Sequence, residues 1–507
     1  MSRHLPLFDC EKHKRSNHLL LLVFSFTMKL RAFIRKGGNM NDITDLLNLE
    51  DHDLQVTNIR RVHGVKEITV ETAPTVHYCP LCGFRMHSRS IKTRTVNHPI
   101  LQDTYQLVVK LKQRRWRCTN PVCKYEEAES FRFVNRYRRS SNATDLLIVE
   151  AFRDLSNSAA SIAKQFHTTD THALEVFDKY VRMERLPLTD AISIDEVYLD
   201  MDNYCKYVLV LQDFHTGQPI DLVRNRRDNV TAPFFSGIPI EERRQVKYLI
   251  TDMYNPYLAY VEKYFLNAVP VVDSFHVIQW ITHSLDMFLH QLLREYKLRD
   301  QERQDKLSRE QNRPMILPKS DEVYLLQNCR WLLLGNRRNI VYHAELRMDN
   351  HFRYYMNSYD YEKLFMDLHP DMRELRDLKE MYVEFNDRNA GDPDTAAKEL
   401  DKLIVHYWTC GHQMFKEFAI LLKKYHDPII NSFVMVQRIG PDGIYDSRLS
   451  NGPIESLNRK AKDLKRSGRG YRNLSHLRNR FLFSTRYDPV LNGKERKPVI
   501  YDTSEDE

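Results

Sequence analysis

Three acidic residues of this sequence come directly after short apolar segments, and carboxylates placed in this way could bind divalent metal ions. Asp195 and Asp252 each follow an apolar run, and Glu455 follows a Gly-Pro-Ile segment. Magnesium prefers carboxylate oxygens, and two such ions about 3.5 to 4 Å apart can activate a water or a 3′-hydroxyl group and stabilise the leaving oxygen. If the fold brings the three side chains together, the site could cut and join phosphodiesters, although any one of these acids alone is more often a surface residue or a helix cap.

A fourth acid, Asp273, competes with Asp252 for a place in this site. It also ends an apolar run, and His276 follows it in an Asp-x-x-His pattern. His276 could orient a phosphate or act as a proton shuttle, although a lone histidine beside a strand is more often structural. We interpret Asp252 as the metal ligand and Asp273 as an auxiliary residue that could replace or assist it.

Four of the eight cysteines form two closely spaced pairs, Cys79 with Cys82 and Cys118 with Cys123. A tetrahedral zinc ion takes four soft ligands, and two pairs on turns supply them with little loop-closure cost. We predict a closed structural zinc site that organises a small module and performs no catalysis, with accidental burial of four thiols as the alternative. Two nearby histidines are weaker substitute ligands: His77 and His87.

The acids must be positioned by strands, and the sequence predicts five of them in one α/β domain. Strand-like runs are found at Ile192–Leu199, Tyr204–Phe214, Pro219–Val223, Val246–Ile250 and Val269–Val272. The segment Asn255–Leu266 reads as a helix between the last two strands, so the order of elements indicates a mixed sheet. From Ile278 to about Arg438 the pattern is helical throughout, which predicts an insertion between Asp273 and Glu455.

Three short helices are predicted between Asp145 and Val181, with Ser158 and Thr169 as N-caps of the second and third. Their tight connections fit a helix-turn-helix, and an ordinary helical linker is the alternative of about equal weight.

Basic residues cluster in two runs. Nine Lys or Arg stand against one acid from Arg85 to Arg117, and nine against one in a predicted helix from Arg459 to Arg480. Runs of this density suit a polyanion through phosphate contacts, although any single run could be a solvated surface. The candidate DNA-binding residues are Arg114, Arg115, Arg117, Arg459, Lys460, Lys462, Lys465, Arg466 and Arg469.

The bulk composition fits a globular protein of several domains: 507 residues, 42% hydrophobic, 28% charged and a formal net charge of +8. The low cysteine count favours a reducing compartment. The apolar stretch Leu19–Phe26 is too short to span a membrane and has no small-residue cleavage site, so we expect no membrane role. Met28 and Met40 follow it, which suggests that the first 39 residues are a mis-assigned start.

Taken together, these motifs resemble those of DDE-type insertion-sequence transposases, most closely the ISL-three-type family of bacterial elements. The resemblance is carried by the two cysteine pairs, the helix-turn-helix-like region and four short motifs. These motifs are Ser193–Glu196, Thr251–Tyr254, Val272–Val277 and Ser450–Asn458. The family implies a ribonuclease-H-like catalytic fold interrupted by an all-helical insertion, with Asp195, Asp252 and Glu455 as the catalytic triad. Trp331 could be a base-stacking residue of the insertion, although a tryptophan in a helical domain is more often part of the core.

The resemblance implies seven segments in chain order. They are a start outside the fold (1–39), a zinc-ribbon-like N-terminal domain (40–140), a helix-turn-helix domain (141–186), the first part of the catalytic domain (187–277), the helical insertion (278–440), the second part with the basic helix (441–490) and an acidic tail (491–507).

The implied function is metal-dependent DNA cleavage and strand transfer at the terminal inverted repeats of an insertion sequence. Magnesium or manganese would serve catalysis and zinc would serve structure. We expect DNA as the partner, at least a dimer because two ends must be synapsed, and a cytoplasmic, nucleoid-associated location. Two alternatives remain at this stage: a domesticated DNA-binding regulator without transposition activity, and a metal-dependent nuclease or resolvase that cleaves without joining.

Overall fold

The computed structural model describes residues 47, 49, 51, 53–62, 65–99, 106–468 and 471–487. The chain divides into two compact units: the first comprises Met1–Glu184 and Asp463–Glu507, and the second comprises Arg185–Lys462. The sequence makes predictions for the first 39 residues, the acidic tail and Arg469, and these residues lie outside the described part of the chain. In the part of the chain that is described, no helix has both the length and the apolar character that a membrane crossing requires.

The first unit contains a six-stranded sheet. Its strands are β1 (Leu54–Val62), β2 (Val65–Thr72), β3 (His77–Tyr78), β4 (Arg85–His98), β5 (Gln106–Cys118) and β6 (Glu126–Ala128). They lie in the order β1-β2-β5-β4-β3, with β6 also paired to β5. Only β2 and β5 pair in parallel. The alternating residues Ile68, Val70, Val109 and Leu111 are buried, so one face of this sheet forms a core.

Three helices follow the sheet, as the sequence predicts: α1 (Asn142–Ala151), α2 (Ala159–Gln165) and α3 (Asp170–Tyr180). The side chains of Ser158 and Thr169 accept hydrogen bonds from backbone N–H groups in the first turns of α2 and α3, which confirms both predicted N-caps. The connection between α2 and α3 includes His167 at φ +52°, a left-handed conformation that allows the tight turn.

The second unit is built on a five-stranded mixed sheet. Its strands are β7 (Ala191–Asp202), β8 (Cys205–Asp213), β9 (Pro219–Val223), β10 (Tyr248–Thr251) and β11 (Val269–Val272), and its first helices are α4 (Asp228–Ser236), α5 (Ile240–Gln245) and α6 (Asn255–Tyr264). The order is β11-β10-β7-β8-β9. The strand β8 pairs antiparallel with both β7 and β9, whereas β10 pairs in parallel with both β7 and β11. The predicted α/β sheet is thus confirmed, and its parallel half carries the acids.

A mostly helical segment follows β11. Its elements are α7 (Ser274–Glu310), α8 (Asp321–Asn328), α9 (Trp331–Leu334), β12 (Arg347–Met348), β13 (Tyr355–Met356), α10 (Ser358–Met366), α11 (Met372–Arg388), α12 (Pro393–Thr409), α13 (Gln413–Lys424) and α14 (His426–Asn431). The helices share one large apolar core in which Leu285, Leu289, Tyr382 and Phe418 are buried. The expectation of an all-helical insertion is wrong in part, because β12 and β13 form a small antiparallel pair within it.

The helical prediction is also wrong near Arg438. Residues from Met435 form a hairpin of two strands, β14 (Met435–Gly440) and β15 (Gly443–Arg448). Exposed and half-buried residues alternate along β14, the period of a strand rather than of a helix. Gly443 adopts φ +122°, which side-chain-bearing residues rarely reach, so the Pro-Asp-Gly sequence forms the turn.

The predicted basic helix from Arg459 to Arg480 is two helices, α15 (Gly452–Ser467) and α16 (Leu474–Thr485). The first ends before Gly468, and Asn473 caps the second by accepting hydrogen bonds from the N–H groups of Ser475 and His476. Arg480 on α16 is 1% exposed and donates to the carbonyl oxygens of Asp154 (2.6 Å) and Asn157 (3.0 Å). This arginine therefore holds the fold of the first unit rather than offering charge to a ligand.

Candidate active site

The strand register of the second unit places three carboxylates at the same level. Ile250 pairs in parallel with Ser193, so Asp252 stands level with Asp195 two positions further on, and Thr251 pairs with Val272, so Asp252 stands level with Asp273 one position further on. Asp195 lies within β7 and not at its end, because β7 continues to Asp202 in a hairpin with β8. It instead stands where the shorter strands β10 and β11 stop, which leaves its side chain beside their carboxyl ends.

Glu455 reaches this edge from the first turn of α15, as predicted. Ligand atoms of Asp273, His276 and Glu455 lie within 4.8 Å of one another, a spacing that could hold a metal ion. Glu455 is thus brought next to β11 although about 180 residues separate it from Asp273 in sequence. A negative side chain in the first turn also suits the N-terminal end of the helix dipole.

Two asparagines of the Ser450–Asn458 motif hold the acids in place. The Asn458 amide donates to Asp195 Oδ2 at 2.7 Å, and the backbone N–H of Asn451 donates to Asp273 Oδ2 at 3.1 Å. Asn458 is three residues beyond Glu455 and therefore lies on the same side of α15. The sequence analysis did not single out either asparagine, and the i, i+3 spacing from Glu455 was the signal that could have identified Asn458.

Asp273 has a second structural contact. Its Oδ1 accepts a hydrogen bond from the backbone N–H of Phe275, so the carboxylate caps the N-terminus of α7 while it also binds the start of α15. Asp273 is 5% exposed. Asp273 therefore contacts the first turns of two helices at the site, whereas Asp252 accepts a hydrogen bond from the N–H of Tyr254, in the loop that follows β10, at 3.1 Å.

The ionised forms of the Asp195 and Asp252 carboxyls are disfavoured by their surroundings. Burial raises the pKa of Asp195 to about 6; the N–H of Glu196 and the nearby His276 oppose the rise, and Asp252 adds repulsion. The pKa of Asp252 is also raised, again mainly by burial. Two partly buried acids that repel each other favour either a bound proton or a bound cation.

His276 lies close enough to both acids to oppose the rise in their pKa values. Its Nε2 atom is buried and unpaired among the described residues. His276 and Asp252 also line a groove of about 690 Å³ that runs along α7 past Trp280 and Asp286 to Leu334 on α9. A buried ring nitrogen beside carboxylates could contact a polar atom of a ligand, such as a phosphate oxygen.

A network around Glu196, the neighbour of Asp195, was missed by the sequence analysis. Arg226 Nη1 donates to both carboxylate oxygens of Glu196, at 2.6 and 2.8 Å, and the hydroxyl of Tyr257 donates to the same group at 3.0 Å. The guanidinium of Arg226 also lies 5.1 Å from the ring centroids of Tyr207 and of Tyr254. This network fixes the strand beside Asp195 and compensates the charge of Glu196. Arg226 is 30 residues from Glu196 in sequence, so only the fold shows that the two side chains are in contact.

In the first unit, the four paired cysteines come together. Their sulfur atoms all lie within 4.8 Å of one another, with 3.7 Å between Cys79 and Cys123 and 3.4 Å between Cys82 and Cys118. Four thiolates at about 2.3 Å from a tetrahedral zinc ion would be about 3.8 Å apart. Hydrogen bonding from the backbone of Phe84 lowers the pKa of the Cys82 thiol to about 7. The cluster is therefore compatible with zinc binding.

The candidate DNA-binding arginines on β5 are largely occupied by carboxylates. Arg115 and Arg117 lie 3.4 and 3.5 Å from Glu126 on β6, and Arg114 donates to the carbonyl oxygen of Thr72 at 2.7 Å. Trp116 between them is 9% exposed, stacks on the ring of His77 and belongs to the core around the cysteines.

On α15 the basic candidates differ in exposure. Arg459, Lys460, Lys462 and Arg466 are exposed, whereas Lys465 is half-buried and donates to the carbonyl oxygen of Tyr471. Trp331, the candidate base-stacking residue, opens α9 and is 42% exposed.

The arrangement of these acids can be compared with known proteins. A family model described as a transposase, that of the ISL3-type DDE enzymes, matches residues 192–481, which is more than half of the chain. The chain belongs to the ISL3-type DDE transposase family. The resemblance stated from the motifs is thereby confirmed, and the matched region includes all five candidate catalytic residues.

One curated relative of this family is the transposase for insertion sequence element IS1001 of Bordetella parapertussis. It is 24% identical to the chain over 295 residues, which cover 56% of this chain and 65% of the relative. The alignment thus spans slightly less than two thirds of the relative's length. DDE transposases as a class use divalent metal ions.

Proposed function

We propose that this protein is a transposase that binds the terminal inverted repeats of an insertion sequence, cleaves the DNA at its ends and transfers the strands to a target. The observation that carries the proposal is the strand register, which brings Asp195 on β7 level with Asp252 and Asp273 directly after β10 and β11, together with the closeness of Glu455 on α15 to Asp273 and His276. Family membership supplies the reaction class, and these four carboxylates supply a site in which it could occur.

The sheet supports a ribonuclease-H-like catalytic domain. Three antiparallel strands are followed by two that are parallel to the first, and the spatial order is third, second, first, fourth, fifth. Asp195 stands on the first strand of this sheet, Asp252 directly after the fourth strand and Glu455 in the first turn of the late helix α15.

Asp195, Asp252 and Glu455 are the proposed ligands of catalytic magnesium or manganese. The donor set fits such an ion, because it consists of carboxylates, and burial raises the pKa values of two of them, Asp195 and Asp252, so that a bound cation would favour their ionised forms. When bound, the ions would activate water or a 3′-hydroxyl and stabilise the leaving oxygen. We assign Asp273 to positioning, because both of its oxygens accept backbone hydrogen bonds.

The protein's own groups orient this site. Asn458 holds one oxygen of Asp195 and the Glu196 N–H holds the other, so the carboxylate has one fixed orientation. Asp273 fixes the first turns of α7 and α15, the helices that carry His276 and Glu455. His276, with its unpaired Nε2, is available to contact a phosphate oxygen or to move a proton at the reacting group.

The first unit is proposed to recognise DNA. Zinc held by Cys79, Cys82, Cys118 and Cys123 would fix the ends of β4 and β5, and α2 and α3 would act as a helix-turn-helix on the inverted repeat. The exposed basic residues of α15 would contact phosphates near the chemistry. We propose at least a dimer, because two ends must be joined in one complex, and a cytoplasmic location at the nucleoid where the DNA lies.

Strand transfer from a donor with the element's own ends into a supercoiled plasmid, in magnesium, tests the enzyme. Wild type should join the ends, whereas Asp195→Ala should bind DNA and fail to join it. Asp228→Ala, which removes an exposed acid on α4, is the matched control and should react like wild type. Equal inactivity of wild type and Asp195→Ala with normal DNA binding would favour a domesticated regulator, and cleavage whose labelled 3′-hydroxyl end never enters the target would favour a nuclease.

A further inference from the structure

The first unit contains a basic groove; the sequence predicts DNA binding for two of its lining residues, Arg114 and Arg115, and assigns no role to the arginines on its other side. It is a concavity of about 820 Å³ lined by seven basic and two acidic side chains, and it lies before residue 192, where the family match begins. One wall is formed by β4 and β5 and the other by the segment Asn135–Arg139, which we call the arginine loop. We propose that this basic groove binds the phosphate backbone of duplex DNA.

The arginine loop supplies the charge. Arg136, Arg138 and Arg139 lie within four residues of one another, and all three line the groove together with Lys92 and Arg94 of β4. Arg136, Arg139 and Lys92 are exposed, and within the residues that the structure describes no carboxylate pairs with them. Unpaired guanidinium groups on a concave surface raise the local positive potential, which attracts phosphates.

The groove is a built feature, because its loop is held by hydrogen bonds to β4. Arg94 Nη2 donates to the carbonyl oxygens of Arg138 at 2.7 Å and of Asn135 at 3.2 Å, and the N–H of Asn97 donates to the carbonyl oxygen of Arg139 at 2.7 Å. The N–H of Ser141 in turn donates to the carbonyl oxygen of Asn97. The backbone of the loop is therefore fixed while its guanidinium groups remain available, an arrangement that lowers the entropy lost on binding.

The two acids of the groove do not cancel this charge. Glu126 pairs with Arg89, Arg115 and Arg117, and Glu127 accepts from His77 at 2.7 Å and from the hydroxyl of Tyr125 at 3.1 Å. Both carboxylates are thus committed to partners that lie largely on β3 and β5. The side of the groove formed by the arginine loop keeps its positive charge.

Tyr137 gives a second indication of function. It is 84% exposed and has φ +65°, a conformation that costs a residue with a side chain about 1 kcal/mol or more. The guanidinium of Arg136 lies 5.3 Å from the centre of its ring. An exposed aromatic ring at a strained position contributes little to folding, so its role is better explained by holding Arg136 for a ligand.

The partner follows from this chemistry and rests on the proposed function. A transposase acts on duplex DNA, whose phosphates are evenly spaced negative charges, and contacts to them position a protein without reading sequence. The loop leads directly into Ser141, the N-cap of α1, so it is covalently joined to the three-helix segment that is proposed to read the inverted repeat. The basic groove would then bind the backbone beside the sequence that these helices recognise.

The test is a salt titration of DNA binding by the full chain, measured by fluorescence anisotropy with two duplexes. One duplex carries the element's inverted repeat and the other an unrelated sequence. The double variant Arg136→Ala, Arg139→Ala should bind both at least about tenfold more weakly, since two charge-assisted contacts are lost. The slope of log affinity against log salt should become about 1.8 shallower, at about 0.9 per phosphate.

Three further variants separate charge from fold. Arg136→Lys with Arg139→Lys keeps the charge and should keep most of the salt slope. Lys402→Ala with Lys423→Ala removes two exposed charges on α12 and α13 and should bind like wild type. Tyr137→Gly suits φ +65° and should leave the melting temperature unchanged or higher, while lowering DNA affinity about threefold by releasing Arg136.

Two results would refute the proposal that the basic groove binds DNA. One is wild-type affinity and salt slope in the Arg136→Ala, Arg139→Ala variant, and the other is an equal loss of affinity in the Lys402→Ala, Lys423→Ala control. A wild-type chain that binds neither duplex would instead refute the proposed function, and the groove with it. A wild-type chain that binds DNA but does not transfer strands would refute the proposed catalysis and leave the basic groove standing. Failure of the groove proposal and failure of the proposed function can therefore be distinguished.

Discussion

Replacing Asp195 by asparagine should stabilise the protein when no divalent metal is present. The pKa of the Asp195 carboxyl rises from its ordinary value of 3.8 to about 6, mainly through burial. At neutral pH this shift makes the ionised group about 3 kcal/mol less favourable in the folded protein than in the unfolded chain. Asparagine carries no charge and avoids this loss.

The substitution also removes a hydrogen bond, which reduces the gain. Asp195 accepts one hydrogen bond from the amide of Asn458 and one from the N–H of Glu196, whereas asparagine has a single acceptor oxygen. One lost hydrogen bond costs about 1 to 1.5 kcal/mol. We therefore expect Asp195→Asn to raise the free energy of unfolding by about 1.5 to 2 kcal/mol at about pH 8 in a chelator.

The pH dependence gives this prediction a sign that can be checked. A carboxyl with a raised folded-state pKa contributes its full stability below its unfolded-state value of 3.8, and that contribution is lost as the pH rises through about 6. The advantage of Asp195→Asn should consequently be largest above about pH 7 and should disappear or reverse below about pH 4, where wild-type Asp195 is neutral.

Urea unfolding of both proteins, followed by fluorescence at several pH values with a chelator and then with magnesium, tests the reasoning. Magnesium should stabilise wild type much more than Asp195→Asn, because the variant lacks one charged ligand. Asp228→Asn on α4 serves as the control for a simple change in net charge. The explanation would be refuted if Asp195→Asn were less stable than wild type at high pH in the chelator, or if its stability changed with pH as that of wild type does.

Three other predictions follow from the same structure. Cys118→Ser should abolish the binding of one zinc ion per chain, measured by elemental analysis, and make the segment from β3 to β6 sensitive to protease while the catalytic sheet stays folded. Asn458→Leu should raise the magnesium concentration needed for half-maximal strand transfer about 10-fold or more, because Asp195 loses its orienting donor; Ser456→Ala, exposed on the same helix, should not. Arg480→Leu should lower the free energy of unfolding of the first unit by about 2 to 4 kcal/mol in thermal or urea unfolding, whereas Arg459→Leu on the exposed face of α15 should have little effect.

The sequence predicts the catalytic sheet because its strands are apolar runs with clear ends. Buried parallel strands need to be apolar on both faces, so the acids after Thr251 and Val272 mark where each strand leaves the core. Asp195 also follows an apolar run, but it does not mark a strand end. The strand β7 continues beyond Asp195 because its first half pairs with β10 and β8 and its second half pairs with β8. The local sequence pattern does not show which strands will pair.

Charge density in the sequence predicts DNA contacts less well than it predicts the strands. Arg115 and Arg117 belong to the densest basic run, yet Glu126 on the neighbouring strand pairs with both. Arg480 belongs to the second run and is buried. The arginine loop is a shorter basic run, and no carboxylate pairs with Arg136 or Arg139 among the described residues. Which basic groups remain available is decided by cross-strand neighbours, which only the fold brings together.

The helical insertion contributes directly to the active site. The hydroxyl of Tyr425, at the end of α13, donates to the carbonyl oxygen of Met253, the residue after Asp252, at 3.2 Å. The amide of Asn431 on α14 donates to the carbonyl oxygen of Pro270 in β11 at 2.9 Å.

The insertion also fixes the segment that leads to Glu455. Arg448, at the end of β15, donates to the carbonyl oxygens of Ser432 and Asn386 at 2.7 and 2.8 Å, and its guanidinium lies 3.8 Å from the centre of the Phe433 ring. The segment that starts α15 is therefore tied to the base of the helical core. A change that loosens this core would move Glu455 relative to Asp195 and Asp252, and a displacement of about 1 Å is enough to impair a reaction that depends on positioned groups. The insertion thus acts as the support that sets the distance between the acids on the sheet and the acid on the helix.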